Sequence, residues 1–178
     1  DRVALDVAPL FVYGRYRKFS REIPQTRRPC RECRGKGCPR CGGKGKMYET
    51  SVQDLIGSVL IRHSEGVEDF FHGMGREDID ARMLGNGRPF VAEVRRPRKR
   101  SIDLRAVEKE INEGAGGLIE VEGLRMSKRA EMQGIKESKC AKTYRVKVRF
   151  LADFDHGKLN ELATSLAEKP ISQRTPNR

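Results

Sequence analysis

Tryptophan is missing from this 178-residue chain and aromatic residues make up only 6% of it, so any core has to be assembled mainly from aliphatic side chains and stays modest. No apolar run approaches the about 20 residues that a membrane-crossing helix requires, and the N-terminal residues do not form a signal peptide. A membrane partner is therefore not expected. The first residue is Asp1 rather than Met, and sequence is expected to precede it. Nor are cysteines scattered as in a disulfide framework. Four of the five fall between Cys30 and Cys41, which is metal spacing and points to a reducing, cytoplasmic setting. Acidic residues are outnumbered, 25 against 37 Lys and Arg, leaving a formal charge of +12 that makes a polyanion the first candidate partner. Hydrophobic residues at 37%, placed periodically among 35% charged ones, indicate a folded chain.

The pattern divides the chain into three parts. Residues 1–24 contain the strand-like run LDVAPLFVYGRYRKF and a basic connector, and are expected to be the end of a preceding region. Residues 25–48 are rich in glycine, proline, cysteine and cations without apolar periodicity, so something other than a core must hold them. Residues 49–178 carry the regular elements. Ser51 with Asp54 forms a capping arrangement, and Val52, Leu55, Ile56, Val59 and Leu60 follow at helical spacing to about His63. Asn86-Gly87 predicts a two-residue hairpin turn between strands IDARML and RPFVAEVRRP. A second helix is expected over Leu104–Glu113, capped by Asp103 and ended by Gly114. GGLIEVEGLRMS and AKTYRVKVRFLA alternate as strands, and a third helix from about Lys158 to Glu168 stops before Pro170. Helices returning onto a largely antiparallel sheet define an α+β or mixed α/β fold.

CRECRGKGCPRCGGKG contains the unit C-x-x-C-x-G-x-G twice, placing Cys30, Cys33, Cys38 and Cys41 in two knuckles that together supply four thiolates to a tetrahedral Zn²⁺. Four thiolates leave no coordination position for water or substrate, so the zinc is expected to be structural. The repeat resembles the cysteine-rich region of J-domain co-chaperones over these residues alone. Arg27, Arg28, Arg31, Arg34, Lys36, Arg40, Lys44 and Lys46 surround the cysteines, and a metal-held loop so rich in cations suits an RNA or DNA backbone.

GMGREDIDARMLGNGRPF sets three acids among three arginines. Read as a strand, it turns Ile79, Ala81 and Met83 to a core and lines Asp78, Asp80 and Arg82 on the opposite face. An exposed Asp80–Arg82 pair contributing ~0–1 kcal/mol would account for that face without any chemistry.

The same segment, with the basic knuckle upstream and Lys142-Thr143-Tyr144 downstream in that order, resembles the pseudouridine synthases, in the archaeal and eukaryotic branch (Pus-ten type) that modifies uridines in the T-loop of tRNA. The resemblance runs from the knuckle to SQRTPNR. It implies a pseudouridine synthase-like catalytic sheet with helices, tRNA as partner and no organic or small-molecule cofactor. Asp78 matches the catalytic carboxylate, with Asp80 as its nearby competitor. Arg76 matches an arginine that fills the space left by a flipped nucleotide, Tyr144 matches the tyrosine that stacks on the target base, and Arg82 is a further substrate-binding candidate. Isomerising uridine breaks an N-glycosidic bond and makes a C-glycosidic one to the same sugar, and one carboxylate can act either by attacking C1′ or by helping to form a glycal. Base extrusion calls for an aromatic platform and a wedge.

Members of that family carry an N-terminal RNA-binding domain and continue beyond the RTP sequence with a basic, strand-forming segment. The catalytic domain over 49–178 is therefore expected to be incomplete at its C-terminal end, and a fragment ending at Arg178 to be inactive. The competing reading is a zinc-dependent RNA-binding module in which Asp78 and Asp80 are structural.

Overall fold

In a computed structural model, the described residues are 5–138, 140–151, 153, 155–167, 169–170 and 172. The chain divides into two compact units, Asp1–Cys140 and Ala141–Arg178. The closing RTP sequence lies outside the described residues.

The first unit is built on a four-stranded antiparallel sheet in the order β2-β3-β1-β4, with β1 Leu10–Lys18, β2 Glu68–Gly73, β3 Met83–Arg95 and β4 Ile119–Ser127. Period-two alternation along β1 sends Leu10, Val12 and Tyr16 to one face and Phe11 to the other. On the first face lie α1, Val52–Ser64, and α2, Leu104–Gly114, which bury Val52, Ile56, Leu60, Val107 and Ile111 against Phe90 and Val94. Here Phe71 and Phe90 stack with centroids 5.0 Å apart, and Tyr16 meets both edge-on. These rings supply the bulk that a tryptophan-free core needs. On the second face α3, Arg129–Glu137, sets Met132 and Ile135 on Phe11 and Val91. The result is an α+β domain. No helix among the described residues is long and apolar enough to cross a membrane.

Local signals held where the interactions are local. Ser51 caps α1 by accepting from the Asp54 N–H, and Asp103 caps α2 by accepting from the N–H groups of Arg105 and Ala106. Gly114 is the last residue of α2 rather than its terminator.

Two expectations are overturned. Asn86-Gly87 is not a hairpin turn. β3 runs straight through it, and the hairpin joins β2 to β3 through residues 74–82. Opposite β1, Tyr16 pairs with Arg88 and Lys18 with Met83, so Leu84–Gly87 bulge out against the single residue Arg17. Gly85 and Gly87 take φ of +64° and +68°, and the Arg15 guanidinium donates to the Asn86 and Gly87 carbonyls. The glycines that looked like a turn serve a bulge because a long-range cation satisfies the carbonyls it frees. The second correction concerns AKTYRVKVRFLA. Its described residues carry no strand pairing, since alternation fits a segment to a sheet but only a neighbour's backbone groups make it a strand. The second unit contributes α4, His156–Leu166, capped by Asp155 through the N–H groups of Gly157 and Lys158. Neither β2 nor α3 was anticipated from the sequence. α3 has only nine residues and two buried apolar ones, too few to establish a period.

Candidate active site and metal centre

β1 ends in a position where an apolar residue belongs and a lysine stands. Lys18 is fully buried, and its ammonium donates to the carbonyls of Ile23 at 3.1 Å, Asp78 at 3.1 Å and Ile79 at 2.8 Å. Burial lowers its pKa, opposed by the nearby carboxylates of Glu77, Asp80 and Asp78. Arg21 donates to the next carbonyl, Asp80, at 2.6 Å. Two cations thus hold the backbone of the 78–80 stretch from below.

Beside them Glu77 turns inward. Tyr16 donates its hydroxyl to the Glu77 carboxylate at 2.8 Å, Gln25 Nε2 donates to the Tyr16 oxygen at 2.8 Å and to the Gly75 carbonyl at 3.1 Å, and Arg88 Nε lies 3.0 Å from Glu77 Oε2. Burial, reinforced by Glu77, raises the Tyr16 pKa, so the phenol stays a donor. Arg88 also donates to the Met74 carbonyl. A buried carboxylate with a guanidinium, a phenol and an amide around it has its polar demand met, which makes this group an anchor rather than a reactive centre.

With Glu77 fixed inward and the backbone clamped, Arg76, Asp78, Asp80 and Arg82 are left exposed on the loop. They do not line one face of a strand, because β3 begins only at Met83. The Asp80–Arg82 pair is not formed among the described residues, whose ion pairs leave Asp78, Asp80, Arg76 and Arg82 free of partners. Arg76, Asp78 and Arg82 thus share one exposed loop, with no ion pair between them among the described residues. Tyr144 belongs to the second unit, where it is exposed in the unpaired run.

Lys18, Tyr16, Gln25 and Arg88 were not read from the sequence as site residues. One signal was available, the lysine closing the register of β1 whose other members are Leu10, Val12, Gly14 and Tyr16.

The knuckle closes at its base through an antiparallel bridge between Pro29 and Lys46, with the Cys30 N–H on the Gly45 carbonyl at 2.7 Å. Arg27 ties it to the sheet domain, reaching Asp54 at 2.6 Å and the buried Asp69 at 2.7 Å. The four sulfurs of Cys30, Cys33, Cys38 and Cys41 lie within 4.8 Å of one another, with separations of 3.8 Å for Cys30–Cys38, 3.8 Å for Cys33–Cys41 and 3.7 Å for Cys38–Cys41. A regular tetrahedron with metal–sulfur bonds of about 2.3 Å has edges of about 3.8 Å, so the donors fit such an ion. Backbone N–H groups of Gly37, Cys38 and Gly45 point at sulfur. The Cys38 N–H, outweighing partial desolvation with help from Gly45, brings the Cys41 thiol down to about 6. Cys38, despite the Cys41 N–H, is pushed up to about 11 by desolvation and by the neighbouring sulfurs. Thiols crowded so closely resist ionising together, and a divalent cation relieves that repulsion. The cluster could hold a metal ion.

The antiparallel sheet flanked by helices, a carboxylate loop and a four-cysteine knuckle define a class, and comparison with known proteins gives it a name. The profile of the family described as Pus10, C-terminal, matches residues 11–178. Curated relatives named tRNA pseudouridine synthase Pus10 are 46% identical over 184 residues in Halorubrum lacusprofundi, covering all of this chain and 43% of theirs, and 49% identical over 179 residues in Korarchaeum cryptofilum, covering 99% of this chain and 48% of theirs. Another, from Methanothrix thermoacetophila, is 45% identical over 176 residues, covering 99% of this chain and 39% of its own. The chain belongs to the Pus10 C-terminal family. It spans less than half the length of these relatives.

Proposed function

We propose that this chain supplies catalytic machinery to a tRNA pseudouridine synthase acting in the cytoplasm on uridine in the T-loop, with Asp78 as the catalytic carboxylate. One observation carries the reading: the loop backbone is clamped by Lys18 and Arg21 and anchored by Glu77 while the Asp78 carboxylate stays exposed and unpaired. A fixed backbone beneath a free carboxylate is what a positioned nucleophile needs.

The reaction is an internal transfer. On one route Asp78 attacks C1′ as the C1′–N1 bond breaks, the detached uracil anion turns, and C5 attacks C1′ and displaces the Asp78 carboxylate; on the other Asp78 takes the C2′ proton as the C1′–N1 bond breaks to give a glycal, and that proton returns to C2′ as C5 bonds to C1′. On both routes the C5 proton then leaves and N1 is protonated. No atoms are gained or lost, so neither a redox cofactor nor an energy source is required. Arg76 occupies the space of the extruded nucleotide, Arg82 holds phosphate or base, and Tyr144 stacks on the target base. The four cysteines hold Zn²⁺, which shapes the knuckle and takes no part in the isomerisation, and the cations around it meet the tRNA backbone.

Asp78→Asn in the whole protein carrying this chain abolishes pseudouridine formation on an unmodified tRNA transcript and leaves tRNA affinity within about twofold, because the amide keeps the shape without the nucleophile. An active Asp78→Asn beside a dead Asp80→Asn would transfer the role to Asp80. Activity in both would leave a zinc-dependent RNA-binding module.

A further inference from the structure

We infer that the arginine-rich turn after β3, Arg95 to Arg100, is a second contact for the phosphate backbone of the RNA substrate, separate from the Asp78 loop. The inference rests on the proposed action on tRNA.

The stretch RRPRKR sets five cations in six residues. Flexible charge runs usually remain solvated. This one is held rigidly. The N–H groups of Arg98 and Lys99 both donate to the carbonyl of Ser64, at 3.0 and 2.8 Å, and Ser64 is fully buried at the end of α1. Pro97 is buried, and Arg96 takes a φ of +49°, a conformation that a non-glycine residue keeps only when its surroundings impose it. Arg100 donates to the carbonyls of Ala8 and Pro9. The backbone is therefore ordered before any partner arrives, which removes much of the entropy that a loop pays on binding.

The side chains are exposed, and their charge is only partly compensated. Arg95 lies over the Phe70 ring at 4.1 Å and reaches Glu93 and Glu68, and Lys99 pairs with Glu65 at 2.8 Å. Arg96 and Arg98 have no ion pair among the described residues, although Arg98 acts on Glu65 through space. Four of the five cations are arginines, whose forked guanidinium matches phosphate oxygens in pairs.

Placement separates this surface from the catalytic loop. Along β3, Arg88 sits beside Glu77, and Arg95 comes seven residues later at the far end, about 23 Å away at about 3.3 Å per residue. A cation that far from Asp78 cannot touch the extruded nucleotide. It can touch only another part of the same RNA, so it contributes to docking and not to the chemical step.

The test is Arg96→Gln with Arg98→Gln in the whole protein, measured by equilibrium binding to an unmodified tRNA transcript across a salt series. Affinity at physiological salt is expected to fall about tenfold and the slope of log K against log salt to shallow by about two, one unit per lost phosphate contact, with the melting temperature unchanged. Arg96→Lys with Arg98→Lys keeps most of the slope, which separates charge from folding. Backbone footprinting should lose protection away from the target uridine. An unchanged slope and affinity overturn the inference. So does an equal loss of affinity for a polyglutamate peptide, which would assign the turn to acidic proteins. If the wild-type protein binds the transcript but forms no pseudouridine, the proposed function fails while the slope still decides the role of the turn.

Discussion

The Lys18 ammonium and the Asp78 carbonyl oxygen lie 3.1 Å apart, joined by a hydrogen bond that crosses sixty residues of sequence. A lysine in the core is costly unless its donors are filled, and all three hydrogen bonds here go to backbone carbonyls, those of Ile23, Asp78 and Ile79. The bond therefore couples the strand core to the loop carrying the exposed acids.

Lys18→Met, close in shape but without donors, takes the ammonium from the carbonyls of Ile23, Asp78 and Ile79, of which Asp78 keeps the Ala81 N–H. A loss of about 1–3 kcal/mol of stability is expected in denaturant unfolding. Hydrogen exchange should quicken at the Ala81 amide, which donates to the Asp78 carbonyl at 3.1 Å. Unaltered exchange there would show that the loop holds its shape without the lysine.

Cys30→Ser with Cys33→Ser removes half the donors of the knuckle. Elemental analysis is expected to give one zinc per wild-type chain and none in the variant, with weaker RNA binding and a nearly unchanged single-turnover rate at saturating enzyme. Four freely titrating thiols in the native wild-type protein would contradict the zinc assignment.

Gly57→Ala sets two effects against each other. Alanine favours a helix interior by about 1 kcal/mol over glycine. At this position, however, its Cβ would clash with the Asp69 carboxyl, which Arg27 and Gln53 hold in place. Overpacking of this kind costs about 1–3 kcal/mol, so the net effect is destabilisation, accompanied by a looser knuckle as Arg27 loses its anchor. A gain in melting temperature would mean that Asp69 moves aside freely.

His72 gives the stability a pH dependence. Burial lowers its pKa, with the Glu93 hydrogen bond opposing and Lys136 reinforcing the shift. The folded state thus binds a proton less readily than the unfolded chain, whose histidine titrates at about 6.5. The contribution of neutral His72 is present above that value and is lost as pH falls through it toward the lower folded pKa. The urea midpoint should fall on acidification from neutral pH, and His72→Gln should flatten that fall. Equal slopes in the two proteins would remove His72 from the account.

Sequence alone determined what neighbouring residues decide. Two C-x-x-C units bring their own sulfurs together, Ser51 and Asp103 cap the helices that begin beside them, and the motif GRED marks the loop that carries the acids. The turn signal of Asn86-Gly87 was equally local and misled, because the carbonyls freed by a bulge there are satisfied by Arg15, some seventy positions earlier. Alternation likewise marked 141–151 as strand-like without supplying a neighbour to pair with. Only the tertiary structure set Tyr16, Lys18, Gln25, Glu77 and Arg88 around one loop, turning Glu77 inward as an anchor and leaving Asp78 outward. Neighbouring acids of the same kind received opposite roles from contacts that no local pattern encodes, since each contact forms only once the strands and connecting loop have brought distant residues within hydrogen-bonding distance.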